Sequence, residues 1–113
     1  MARDASGSHA RFAGALRSRV AETGTLGREL RRAILARGAG AGAAAVPEPY
    51  EALVRQIAGD SFRVTDAQVN AVLQETGSES DTFEVILTAA VGAGLGRWDA
   101  AEKAIRGAGD AAG

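Results

Sequence analysis

The chain has 113 residues, with thirteen basic against fourteen acidic side chains, a single His and no Cys. That length allows one small domain; the missing cysteines exclude a thiol nucleophile, a CxxC redox pair, a disulfide framework and a thiolate metal site, and one His excludes an imidazole-built zinc site within one chain. Apolar residues make up 46% of the chain, but 26 of them are Ala and a further 15 residues are Gly, so the core is expected to be thin and to lean on another subunit.

The near-zero net charge hides an asymmetry. Residues 1–46 carry eight Arg against Asp4, Glu22 and Glu29, a balance of +5, whereas residues 47–113 carry five basic against eleven acidic side chains, a balance of −6. We read the basic half as charge that docks onto its own helices, a neighbouring copy or a heterologous protein partner. Nucleic acid is the disfavoured alternative, because no aromatic residues interleave with the arginines as a stacking surface requires. No apolar run reaches the roughly 20 residues of a membrane span, and the N-terminus lacks a compact secretory apolar stretch, so no membrane contact and a cytoplasmic setting are expected. The first 20 residues are Arg-rich and acid-poor like an organellar transit peptide, but the same Ala/Arg/Gly texture continues to the C-terminus.

Residues 1–9 show no periodicity and are expected to be a disordered tail, which removes His9 from consideration as a site residue. Residues 10–38 form a basic helical arm. Phe12, Leu16 and Val20 recur every four residues and predict a first helix ended at Thr23 and Gly24. Thr25 is placed to cap a second helix carrying Leu26, Leu30, Ala33, Ile34 and Arg37 along one side and stopping at Gly38. Residues 39–47 are a Gly/Ala-rich linker: the run GAGAGAAAV from Gly38 to Val46 has neither bulk nor charge, and Pro47 and Pro49 bar a helix. Its Gly-x-Gly spacing lacks the lysine, the serine and the preceding strand of a phosphate-binding loop.

Residues 48–113 carry the sharper signals. Pro49 suits a first helical turn, followed by the stripe Tyr50, Leu53, Val54 and Ile57 and a stop at Gly59. Thr65 stands three residues before Gln68, a capping box, with Val64 and Val69 placed as a hydrophobic staple; Val69, Val72 and Leu73 face the core and Gly77 ends the helix. Ser80 is the predicted cap of a last helix, with Asp81 and Glu84 in its first turn. The stripe of that helix runs Phe83, Ile86, Leu87, Ala90, Val91, Gly94, Trp98, Ala101 and Ile105. Each glycine in VGAGLG costs about 1 kcal/mol of helix stability relative to alanine. Either the helix breaks or kinks between Gly92 and Gly96, or Ala89, Gly92, Ala93 and Gly96 admit another helix at very close range, as packing residues of a homo-oligomer; the apolar pattern continues in phase beyond them and favours the second. No segment alternates as a strand does, and the expected fold is all-α, a small bundle of four to five helices completed by oligomerisation.

The stretch YEALVRQIAG followed by FRVTDAQVNAVLQETGSESDTFEVILTAAVGAGLGRWDAAEKAI resembles the C-terminal half of the carboxymuconolactone decarboxylase and alkylhydroperoxidase D-like (AhpD-like) superfamily. The carrying residues are Thr65, Asp66, Gly77, Ser80, Phe83, Glu84, Ala90 and Arg97, a pattern of caps and packing positions over about half the chain. The resemblance implies an obligate oligomer of helical subunits. Peroxidase members use a CxxC pair with a His on a preceding helix, and this chain has no Cys and no His after His9, so thiol peroxidase chemistry is excluded. The decarboxylase branch does not need those thiols. Under that resemblance Arg97 binds a substrate carboxylate and Glu84 acts as acid or base, in an interfacial pocket lined by Tyr50, Phe83 and Trp98.

Against those roles stand plainer ones: Glu84 as a first-turn carboxylate, Arg97 paired with an acid such as Asp99, and Trp98 as a core or interface anchor. Glu75, Glu79, Asp81 and Glu84 lack a regular ligand-loop spacing, and no metal or cofactor is expected. Ser78 and Ser80 have no His in the domain to activate them. The residues therefore favour a non-catalytic, self-associating helical interaction or accessory protein. The alternative is a cofactor-independent lyase or decarboxylase acting on a small carboxylate or lactone at a subunit interface.

Overall fold

The computed structural model describes residues 2–22, 24, 26–40 and 45–112, and among these every regular element is helical. Five α-helices follow one another: α1 Ala2–Glu22, α2 Arg28–Gly38, α3 Tyr50–Asp60, α4 Asp66–Thr76 and α5 Glu79–Ala112, with a 3-10 turn at Ser61–Arg63. The backbone of α1 begins well upstream of Ala10 and takes in most of the segment read as a tail, since no proline interrupts residues 2–9. The side chain of His9, and Thr23 and Thr25 with their expected stop and cap, lie outside the described residues. Gly27 stands at the N-cap of α2.

Local chemistry explains the sharpest boundaries. Thr65 Oγ1 accepts from Gln68 N at 3.2 Å while Gln68 Oε1 accepts from Thr65 N at 3.0 Å, so two orphan donors at the start of α4 are satisfied reciprocally. Gly77 closes α4 at φ +68°, donating to Leu73 O at 2.8 Å, a left-handed cap that glycine adopts without a Cβ penalty. The start of α5 differs from expectation by two positions: Ser78, not Ser80, caps it, its Oγ accepting from Asp81 N at 3.1 Å. Thr82 Oγ1 reaches back to Ser78 O at 2.8 Å and to Thr76 Oγ1 at 2.9 Å, which draws the register upstream.

The main core is built from Leu26, Ile34, Val46, Leu53, Val54, Ile57, Val72, Val85 and Ala89, between α2, α3, α4 and the first half of α5. Val64 and Val69 pack against it, as the staple requires. A smaller cluster of Ala13, Leu35 and Leu95 seats α1 on α2 and α5. The whole chain extends 53 × 26 × 23 Å. At 1.5 Å per residue the 34-residue α5 accounts for about 51 Å of that length, so it is the spine on which the other helices are laid.

α2 makes the most extensive packing on α5, and glycine makes it possible. A Cβ on Gly92 would stand 2.4 Å from Leu35 O, one on Gly96 2.5 Å from Ala39 O, and one on Gly38 2.8 Å from Ala89 O. Helix α5 is unbroken through VGAGLG. The close-range partner of Ala89, Gly92, Ala93 and Gly96 is thus α2 of the same chain, whose backbone fills the seam reserved in the sequence for a second subunit.

That seam sets the rotation of α5 and overturns most of its expected core stripe, of which Ile86 and Val91 alone pack against the core clusters. The buried side of the helix is Val85, Thr88, Ala89, Gly92, Ala93 and Leu95, while Phe83, Leu87, Ala90, Gly94, Trp98, Ala101 and Ile105 are exposed. Small residues allow main-chain contact along several turns, and close packing on α2 prevails over burial of the bulkier side chains.

Candidate functional site

Glu84 projects from the first half of α5 toward the turn between α1 and α2. Its Oε2 accepts from Leu26 N at 2.7 Å and lies 3.9 Å from Arg31 Nη2. Arg31 is buried on α2 and donates to Leu26 O. Gly24, at φ +123°, leaves space for the carboxylate, since a Cβ there would meet Glu84 Oε2 at 2.6 Å. This arrangement uses Glu84 to brace a tight connection.

Arg97 lies on the other side of α5, where its Nη2 donates to Ala58 O at 2.9 Å near the end of α3. Thirteen residues separate it from Glu84, about 20 Å along a helix. The groove beside Arg97, about 430 Å³, is lined by Arg37, Gly38, Arg55, Ala58 and Ala93 among others, without Glu84 or an aromatic ring. Tyr50 packs against the main core. Burial pushes its phenol up from the ordinary value, with the carboxylates of Glu75 and Asp81 adding to the shift, so it stays protonated near neutral pH. Phe83 is 63% exposed and Trp98 38% exposed, fifteen residues apart on α5. Within one chain, Tyr50, Phe83, Glu84, Arg97 and Trp98 do not line a common groove.

Among the described residues no three His, Asp or Glu side chains converge on a metal-sized site, and no helix is long and apolar enough to cross a membrane.

Among the described residues, opposite charges from the two halves of the chain meet between α1 and α5, between α2 and α5, and between α2 and α3. Arg17 of α1 pairs with Asp99 of α5 at 3.4 Å, Arg31 with Glu84 at 3.9 Å, and Arg37 with Glu51 at 2.9 Å. The last is the best built. Glu51 accepts from Arg37 Nε at 3.0 Å, from Arg37 Nη2 at 2.9 Å and from Val46 N at 3.2 Å, with Arg55 Nε at 3.7 Å. The hydrogen-bonded Arg37 holds the Glu51 carboxyl below its usual value, and Glu51 in turn raises Arg37. Sequence reasoning had not singled out Glu51. Its signal was a charged residue at the margin of the Tyr50, Leu53, Val54 stripe, matched by Arg37 on the apolar side of α2.

What remains is the outer face of α5. Phe83, Leu87, Trp98 and Ile105 are 63%, 47%, 38% and 72% exposed, and Ala90, Gly94 and Ala101 lie between them on the same face. Beside it a cleft of about 260 Å³ is lined by Phe12, Ala13, Leu16, Leu95 and Trp98, with Phe12 itself 71% exposed. α5 is apolar on two opposite sides, and α2 and α3 cover one of them. An amphipathic helix with one apolar stripe packed inward needs no second one, and a line of large apolar side chains left in solvent on one face is the kind of surface that other polypeptides cover. This face is the candidate functional site. No family model, curated protein or solved structure matches the chain.

Proposed function

We propose that this protein is a non-catalytic helical interaction module that works by docking the outer face of α5 on another polypeptide, self-association included. The observation that carries the reading is the second apolar side of α5, with Phe83, Leu87 and Ile105 in solvent. Nothing in the folding of this chain explains three large side chains left exposed on one line, whereas association removes them from water at roughly 25 cal/mol per Å² of apolar surface. The lyase alternative lacks comparable support, because Glu84 is engaged with Leu26 N and Arg31, and Arg97 with Ala58 O. The reading of the chain as a cysteine-free relative of the alkylhydroperoxidase D-like superfamily rests on the capped pair α4 and α5, from Thr65 to Arg97, and is part of the proposal.

A photo-crosslinking amino acid at Phe83, introduced in cells that express the full chain, tests the function. Covalent adducts with polypeptide are expected at position 83 and absent with the same probe at Asn70, an exposed α4 position far from the stripe in sequence. Equal labelling at both positions, or none at either, contradicts the reading.

A further inference from the structure

We infer that the occupant of this face is a second copy of the chain, with the two α5 helices antiparallel and crossing at Gly94. The inference rests on the interaction reading above and names its partner. It starts from the three glycines of VGAGLG. Gly92 and Gly96 face the backbone of α2, where a Cβ would collide with Leu35 O and Ala39 O, but a Cβ on Gly94 would meet nothing within 4 Å. A mid-helix glycine gives up about 1 kcal/mol relative to alanine; Gly94 shares its open surround with Gly14, Gly59, Gly107 and Gly109, and its place in the exposed stripe is what sets it apart. Gly94 also sits at the midpoint of the exposed stripe, where a glycine lets another backbone come close.

The stripe is self-complementary about that midpoint. Its other members lie four, seven and eleven residues to either side of Gly94: Ala90 and Trp98, Leu87 and Ala101, Phe83 and Ile105. In an antiparallel pair centred on Gly94, each residue faces its mirror position, so Trp98 of one copy meets Ala90 of the other, Leu87 meets Ala101, and Phe83 meets Ile105. Large stands against small on the turns next to the crossing, and large against large only at the ends, which suits helices that diverge from their crossing point. A parallel pair would set Trp98 against Trp98 and leave Ala90 against Ala90. None of the seven positions is charged, so no buried charge opposes the contact. The symmetry is that of an isologous dimer, in which one patch serves both sides.

The area fits a modest dimer. From Phe83 to Ile105 the stripe is about 33 Å long and one helix wide, on the order of 350 Å² of footprint per copy. Phe12 and Leu16 of α1 border it beside Trp98 and widen it. The total over both copies is on the order of 1,000 Å², above most incidental contacts and just under the ~1,200–2,000 Å² of standard interfaces. The dimer is therefore expected to form in a concentration-dependent way.

Because the chain has no cysteine, single cysteines map the pairing on the full-length protein under mild oxidation. Gly94→Cys is expected to give a linked species of twice the 11.5 kDa chain mass. Ala101→Cys alone is expected to stay single, while an equal mixture of Leu87→Cys and Ala101→Cys gives the linked pair. All three positions are exposed, so folding does not confound the result. Self-linking by Ala101→Cys with no mixed product overturns the antiparallel register. Absence of any linked species, with a wild-type mass of one chain, overturns the second copy as occupant. The photo-crosslink at position 83 separates that failure from failure of the interaction reading, because adducts of other masses would retain the function and replace the partner.

Discussion

The Glu51 carboxylate takes N–H donors from Arg37 and from Val46, and so ties the end of α2 and the end of the linker to the first turn of α3. Three consecutive segments within fifteen residues of chain depend on one charge. Its pKa is held below the usual 4.5 by the Arg37 hydrogen bonds, and a carboxylate depressed in the folded state adds stability that is present above its unfolded pKa and lost as pH falls through the folded one. Denaturant titrations of the wild-type chain are therefore expected to show stability declining as pH drops below the ordinary carboxylate range. Glu51→Gln should be less stable at neutral pH and show a shallower acid decline; equal stability and equal acid slopes would remove Glu51 from this role. Glu84 does comparable work at the turn between α1 and α2, where Gly24 leaves its carboxylate room. Both carboxylates are structural braces.

At the scale of the element, glycine position decides the sign of a substitution. Gly92→Ala improves helix propensity by about 1 kcal/mol but drives a Cβ to 2.4 Å from Leu35 O. Backbone on both sides leaves little room for relaxation, and overpacking typically costs about 1–3 kcal/mol. Net destabilisation is expected for Gly92→Ala in thermal unfolding. Gly59→Ala in α3, where a Cβ meets nothing within 4 Å, should be neutral or stabilising by a few tenths of a kcal/mol up to about 1. If both variants moved the melting temperature alike, the close seam between α2 and α5 would be wrong.

The caps and ends of α4 were legible in the sequence, because Thr65, Gln68 and Gly77 act within a few residues of themselves. The continuity of α5 through its glycines was legible for the same reason: the apolar phase carries across them. The rotation of α5 was not. Its Phe, Leu, Trp and Ile residues give the stronger apolar periodicity, and only the tertiary approach of α2 reveals that the Gly and Ala side packs closer. The intrachain partners of Glu84 and Arg97 were not legible for a related reason, since residue types at suitable spacing do not specify which neighbouring helix each side chain meets.

At the scale of the whole molecule, the thin core inferred from composition is offset in two ways. α2 is drawn against α5 at main-chain distance, and charge runs from the basic first half to the acidic second half at Arg17, Arg31 and Arg37. Neither covers the outer face of α5, whose line of apolar side chains extends most of the length of the molecule.

The most direct test is the light-scattering mass of the full chain across a concentration series, at low and high salt, beside Gly94→Glu. A Cβ at Gly94 meets nothing within the chain, and glutamate is a better helix former than glycine, so the variant keeps the fold while placing a charge at the crossing point. The wild-type mass is expected to rise with concentration toward twice 11.5 kDa and to persist at high salt, because the contact is apolar, whereas Gly94→Glu stays at the mass of one chain with an undiminished melting temperature. A wild-type chain that remains single throughout, or a Gly94→Glu variant that associates as the wild type does, would contradict the account.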